Sequence, residues 1–179
     1  MQATRDRLVH RYTPRGACKK LFECRDYEVL LIGPAGTGKS RGCLEKLHLQ
    51  AMKHPGMRGL IVRKTLASLG STTLVTWRSY VIKQALLTGE VEFYGGSQEE
   101  PPQYRYRNGS VIVIGGMDKP TKIMSSEYDV AYVGEGECGC TADGTFHNLL
   151  SQDFTLSDKI DIPRWEGVHD RLYIYERNL

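Results

Sequence analysis

The sequence predicts an α/β fold: a parallel sheet flanked by helices, with an antiparallel hairpin at its side. Three observations carry this. Short apolar runs at 27–32, 59–63 and 129–133, bounded by charged or turn residues, read as buried strands. Helix-period stretches lie between the first and second of these runs and after the second. Asn108-Gly109 separates two strand-like runs, which is a strong hairpin signal. With 179 residues, 40% of them hydrophobic and 25% charged, the chain has the size and apolar content of one ordinary domain rather than a disordered segment.

Taken in order, residues 1–26 form an irregular or partly helical lead-in, with Thr13-Pro14-Arg15-Gly16 as a turn. The first strand is Tyr27-Glu28-Val29-Leu30-Leu31-Ile32. A helix from Lys39 to Lys53 carries Leu44, Leu47 and Ala51 at helical spacing, with Cys43 on the adjoining edge, and His54-Pro55-Gly56 stops it. Gly59-Leu60-Ile61-Val62-Arg63 is the second strand, and strand, helix and strand together read as a right-handed βαβ unit in a parallel sheet. A helix over roughly 70–87 places Leu74, Trp77, Val81 and Ala85 on one face, and Gly89 ends it. Residues 91–94, 103–107 and 110–114 read as antiparallel strands. Towards the end, segments beginning at Lys159 and Arg171 read as short strands.

The chemistry is concentrated between the first strand and its helix. Gly33-Pro34-Ala35-Gly36-Thr37-Gly38-Lys39-Ser40 satisfies the phosphate-loop pattern G-x-x-x-x-G-K-[ST] in the strand–loop–helix context that gives it meaning. Glycines 33, 36 and 38 let the backbone turn its N–H groups inward as an anion-binding nest. The helix that follows adds the positive end of its dipole. In this arrangement Lys39 reaches the β- and γ-phosphates, and the Ser40 hydroxyl ligates Mg²⁺. The predicted nucleotide contacts therefore run from Gly33 through Arg41, with ATP and Mg²⁺ as the ligands.

The strand Asp129-Val130-Ala131-Tyr132-Val133 runs into Gly134-Glu135-Gly136-Glu137, about 95 residues after the loop. A carboxylate at such a strand end polarises the attacking water in a nucleoside triphosphatase, which gives Glu135 that role by position. The residue before it is Gly134, where an aspartate ordinarily helps to hold Mg²⁺ through water, so the metal depends on Ser40, the phosphates, water and Glu137.

Other classes are excluded or left unsupported. Five cysteines at irregular spacing form no secreted disulfide framework, and Cys138-Gly139-Cys140 lacks the spacing and second pair of a zinc site. This cysteine usage fits a reducing, intracellular setting. No apolar run approaches membrane-spanning length. The net charge of +3 is mild, although seven basic residues against two acidic ones in the first 25 mark a cationic face.

Four blocks together resemble the ATPase domain of tailed-phage terminase large subunits. They are Tyr12 to Ala17, Val29 to Leu44, Leu60-Ile61-Val62-Arg63-Lys64-Thr65-Leu66-Ala67-Ser68-Leu69, and Ser125 to Glu135. The resemblance covers about residues 10 to 137. It implies a P-loop NTPase of the ASCE type, a motor that couples ATP hydrolysis to translocation of double-stranded viral DNA. Its implied partners are a portal protein and a small terminase subunit, in a homo-oligomeric ring, within the host cytoplasm and away from membranes. It assigns Lys39 and Ser40 to phosphate and Mg²⁺ and Glu135 to water activation, and places Tyr12 to Ala17 near the adenine. Lys122 is the nearest match to the family's trans-acting arginine, although lysine cannot make arginine's bidentate fork. Arg63 is a second candidate, as a sensor of the γ-phosphate.

Residues 1–137 thus read as the ATPase core, and 138–179 as a poorly matched continuation without the family's coupling motif or its nuclease domain. Two other readings share most of these residues. One is a helicase-like ATPase acting on nucleic acid, and the other is a nucleotide-binding remnant without turnover.

Overall fold

The computed structural model describes residues 10–26, 29–32, 36–118, 126–134, 154–161 and 171–177. In chain order the elements are α1 (Ala17–Glu23), β1 (Leu30–Ile32), α2 (Lys39–Lys53), β2 (Arg58–Arg63), α3 (Leu66–Ser68), α4 (Leu74–Thr76), α5 (Lys83–Leu87), β3 (Val91–Tyr94), β4 (Gln103–Tyr106), β5 (Val111–Gly116), β6 (Val130–Gly134), β7 (Phe154–Asp161) and β8 (Arg171–Arg177). The chain divides into two compact units, residues 1–13 with 44–136, and residues 14–43 with 137–179.

The first unit holds a five-stranded mixed sheet in the order β3-β4-β5-β2-β6. β2 is its centre, paired parallel with β5 on one side and with β6 on the other. β4 joins β5 antiparallel and β3 joins β4 antiparallel, which is the expected hairpin at the side of a parallel core. β2 is apolar on both faces for a physical reason. Ile61 faces the main core, whereas Leu60 and Val62 project to the other side beside Val113, as the two-residue period of a strand requires.

The main core is built from helix faces legible in the sequence. α2 supplies Leu44, Leu47 and Ala51, and the segment after β2 supplies Leu69, Leu74, Trp77 and Val81. That segment differs from a plain helix over 70–87. It starts at Leu66, because the Thr65 side chain accepts a hydrogen bond from the Ser68 backbone N–H at 3.1 Å and caps the first turn. It also contains two π-helical turns, Leu69–Thr73 and Trp77–Val81.

The first strand departs from expectation. β1 is not in the sheet of β2. It pairs antiparallel with β8, and β8 pairs antiparallel with β7, in a three-stranded sheet of order β1-β8-β7. An apolar run identifies a strand but not its neighbour. Three residues offer only a short ladder, and an antiparallel partner gives straighter hydrogen bonds than a parallel one. Of the two short strands read near the C-terminus, the one from Arg171 is β8, and the one from Lys159 overlaps the end of β7, which starts earlier, at Phe154.

The Asn108-Gly109 turn does more than join two strands. Gly109 N–H donates to Tyr106 O at 3.0 Å, Tyr106 N–H donates to Ser110 O at 2.8 Å, and Gly109 has φ 85°. This is a three-residue loop with its glycine in the left-handed region. The loop also closes the end of α2. Asn108 Nδ2 donates to Ala51 O at 2.8 Å, and the buried Ser110 Oγ donates to Ala51 O at 3.0 Å and His54 O at 2.8 Å. Carbonyls that a helix end leaves without internal partners are thus satisfied by side chains from a hairpin more than fifty residues later.

Beside this contact lies a buried polar cluster. His48 Nδ1 is 2.8 Å from Tyr106 Oη, and the His48 ring meets Trp77 edge-on at 6.0 Å. His10 Nε2 lies 2.7 Å from the buried Glu45 carboxylate. Burial, and secondarily the neighbouring His10, lower the His48 pKa from 6.5 to about 4. Below pH 6.5 the unfolded chain therefore takes up a proton that the native His48 refuses. Stability attributable to this group is intact above pH 6.5 and falls as the pH drops towards 4, by about 3 kcal/mol in all. Thermal melts between pH 7 and pH 4 should show this slope, and His48→Gln should flatten it. An equal slope in the variant would assign the acid sensitivity to other groups.

Candidate functional site

The glycine loop enters the described residues at Gly36. Gly36 and Gly38 have φ 80° and 84°, and a side chain at either would meet no other atom within 4 Å. Both backbone positions are in the region that glycine alone occupies at little cost, and the space over them is open. The Gly38 carbonyl accepts the first helical bond of α2, from Gly42 N–H at 2.8 Å. It also receives the Cys18 thiol of α1 at 3.8 Å. Lys39 Nζ donates to Thr37 Oγ1 at 3.1 Å, so the ammonium folds back over the loop.

The first turn of α2 contains Lys39 and Arg41 and no acidic residue. Cations at a helix N-terminus oppose the helix dipole, by roughly 0.3–1 kcal/mol each at an exposed site. An anion above the turn would be attracted both by the positive end of the helix dipole and by these cations. Exposed Gly36, Gly38 and Ser40, with half-buried Thr37, Lys39 and Arg41, therefore fit a polyphosphate chemically. Ser40 Oγ supplies one hard oxygen of the kind Mg²⁺ takes. No group of three or more His, Cys, Asp or Glu side chains able to hold a metal occurs among the described residues. Gly33, Pro34, Ala35, Lys122, Glu135 and Glu137 lie outside the described residues.

In the first unit, the C-terminal ends of the parallel strands bring Arg63 between two glycines, with Gly116 of β5 and Gly134 of β6 as its register partners. The carboxyl ends of parallel strands are where open α/β sheets place their ligands. Arg63 is half-buried, and its guanidinium donates to Ser68 O at 3.1 Å and to Thr72 Oγ1. Sequence reading singled out Arg63 but not Ser68 or Thr72. The Thr65-x-x-Ser68 cap was the available signal, since it fixes where the helix starts and hence which carbonyls face the strand end. A concavity lined by Arg58 and Ser126 to Asp129 lies at the opposite, N-terminal ends of β2 and β6, away from the expected ligand side.

The class these features define is an α/β protein with a glycine loop leading into a helix and a mixed sheet with a parallel core. No protein-family model matches the chain. Over 122 residues it is 28% identical to the PBSX phage terminase large subunit of Bacillus subtilis (strain 168), a stretch covering 68% of this chain and 27% of that protein. The chain thus spans about a quarter of the length of the curated relative it matches, and the similarity is distant. No helix among the described residues is long and apolar enough to cross a membrane.

Proposed function

We propose that this chain is the ATP-binding and hydrolysing part of a phage DNA-packaging motor of the terminase large-subunit type. The observation that carries the reading is the glycine loop at the head of α2. It combines two left-handed glycines, a first turn with cations and no acid, and a lysine–serine pair at the positions that contact phosphate and metal. The likeness to the Bacillus terminase supplies the context of DNA packaging.

In this reading the backbone N–H groups of the loop and Lys39 bind the triphosphate, with Gly33 to Arg41 around it, and Ser40 holds Mg²⁺. Bound Mg²⁺ would neutralise charge on the phosphates. Glu135 accepts the proton of the attacking water. Lys122 or Arg63 serves the γ-phosphate. Double-stranded DNA, a portal and a small terminase subunit are the proposed partners, with copies of the chain arranged in a ring inside the host cell.

The test is turnover. Wild type should hydrolyse Mg-ATP, and Glu135→Ala should bind it with similar affinity while turning over roughly 10²–10⁴-fold more slowly. Equal, negligible turnover in both, with binding intact, would favour a nucleotide-binding remnant. Two observations point that way, the pairing of β1 with β8 and the glycine at 134. Cross-linking to a procapsid portal separates a packaging motor from a helicase-like ATPase.

A further inference from the structure

We infer that the buried Glu45 carboxylate is a shared acceptor, which holds His10 of the lead-in while His48 is neutral and turns to His48 when that ring takes a proton, so that acid releases the lead-in. The inference does not depend on the nucleotide reading.

The three groups lie together in the first unit. Glu45 and His48 are three residues apart on α2, a spacing that sets two side chains beside one another on a helix. Both are buried, at 4% and 8% exposure. His10 reaches them from the lead-in, and its Nε2 lies 2.7 Å from Glu45 Oε2. Its ring also meets the His48 ring edge-on, with 6.1 Å between centroids and 86° between planes. His10 thus occupies the carboxylate and covers part of His48 at once.

The other elements around His48 bring no anion to it. Tyr106 of β4 lies 2.8 Å from Nδ1, and the uncharged Trp77 ring stands edge-on at 6.0 Å. Burial, and secondarily Tyr104, push the Tyr106 phenol up, so it stays uncharged. Tyr104 itself is bonded to Arg78, a cation. Burial first, and His10 second, keep His48 neutral down to about pH 4.

A proton on His48 changes this balance. Two charged imidazoles repel, and the new imidazolium sits on the same helix face as the carboxylate and competes for it. Departure of His10 relieves the repulsion and frees the acceptor. The released form takes up a proton below about pH 6.5 and the docked form only near pH 4, so falling pH between these values favours release. By reciprocity, the factor by which His10 lowers the proton affinity of His48 is the factor by which that proton weakens the docking of His10.

NMR titration of the full chain tests this, with the His48 ring signal assigned by its loss in His48→Gln. At pH 5 His48 should be roughly a tenth charged in the wild type and about half charged or more in His10→Ala. His10→Gln keeps a donor for Glu45 and should leave His48 nearly as neutral as in the wild type. Glu45→Gln beside His10→Ala should return the ring towards neutrality, because the acceptor has lost its charge. If that double variant does not fold, His10→Gln decides. Backbone order parameters at residues 11–13, measured at pH 7, should fall below about 0.6 in His10→Ala and stay higher in the wild type.

Equal charge on His48 at pH 5 in the wild type and in His10→Ala overturns the inference. So does a His10→Gln variant charged like His10→Ala, which would leave plain repulsion as the cause. A folded double variant as charged as His10→Ala alone removes Glu45 from the exchange, and residues 11–13 as rigid in His10→Ala as in the wild type remove the release; either result sinks the idea.

Discussion

Lys39→Ala should abolish the proposed ATP binding or cut it by roughly 10²–10³-fold, with turnover lost in step. The expectation follows from what else is present at the loop. The Lys39 ammonium rests on Thr37 Oγ1 at 3.1 Å, directly over the turn formed by Gly36 and Gly38. In the proposed reading, replacing it removes a point charge from the phosphate site, and charge-assisted bonds are about twice as strong as neutral ones. The fold should not suffer, because Lys39 is only half-buried and lies at the head of a 15-residue helix where alanine is well tolerated. Isothermal titration with Mg-ATP and a thermal melt of the same sample check both halves. Unchanged affinity and turnover in a folded variant would end the phosphate-loop assignment.

Trp77→Ala should cost about 3–5 kcal/mol of stability, whereas Trp77→Phe should cost only about 1–2 kcal/mol. Trp77 is fully buried and sits between the His48 ring at 6.0 Å and the Tyr104 ring at 5.9 Å. Alanine empties the volume that joins the segment after β2 to the sheet. Phenylalanine keeps a ring there and removes an indole N–H that has no hydrogen-bond partner among the described residues. A buried donor without a partner is itself a cost, so its removal offsets part of the lost packing. Urea unfolding of both variants measures the difference. A phenylalanine variant as unstable as the alanine one would mean that the indole N–H is bonded after all.

Sequence and structure agree where the signal is local. The apolar faces of α2 and of the helix after β2 were legible from side-chain spacing, since Leu44, Leu47, Ala51, Leu74, Trp77 and Val81 repeat at helical intervals and are buried. Asn108-Gly109 marked its turn because Gly109 takes a left-handed backbone angle and Asn108 Oδ1 accepts from the Ser110 N–H. Two glycines of the loop motif, Gly36 and Gly38, have the left-handed backbone angles that glycine alone adopts at little cost.

What escaped the sequence depends on partners far away in the chain. Nothing in Leu30-Leu31-Ile32 says that β8 is its neighbour. The π-helical turns were hidden because the spacing of Leu74, Trp77 and Val81 also suits an ordinary helix. The hydrogen bonds from Arg63 to Ser68 and Thr72, and the pairing of Arg63 with Gly134 across β2 and β6, depend on tertiary placement that no local pattern encodes.

The loop at residues 107–110 has one last consequence. Tips of hairpins are ordinarily where a chain best tolerates added residues or a new terminus. Here Asn108 and Ser110 latch the far end of the helix that begins at the glycine loop. An affinity tag or a circular permutation placed at this tip would strip the last carbonyls of that helix of their side-chain donors.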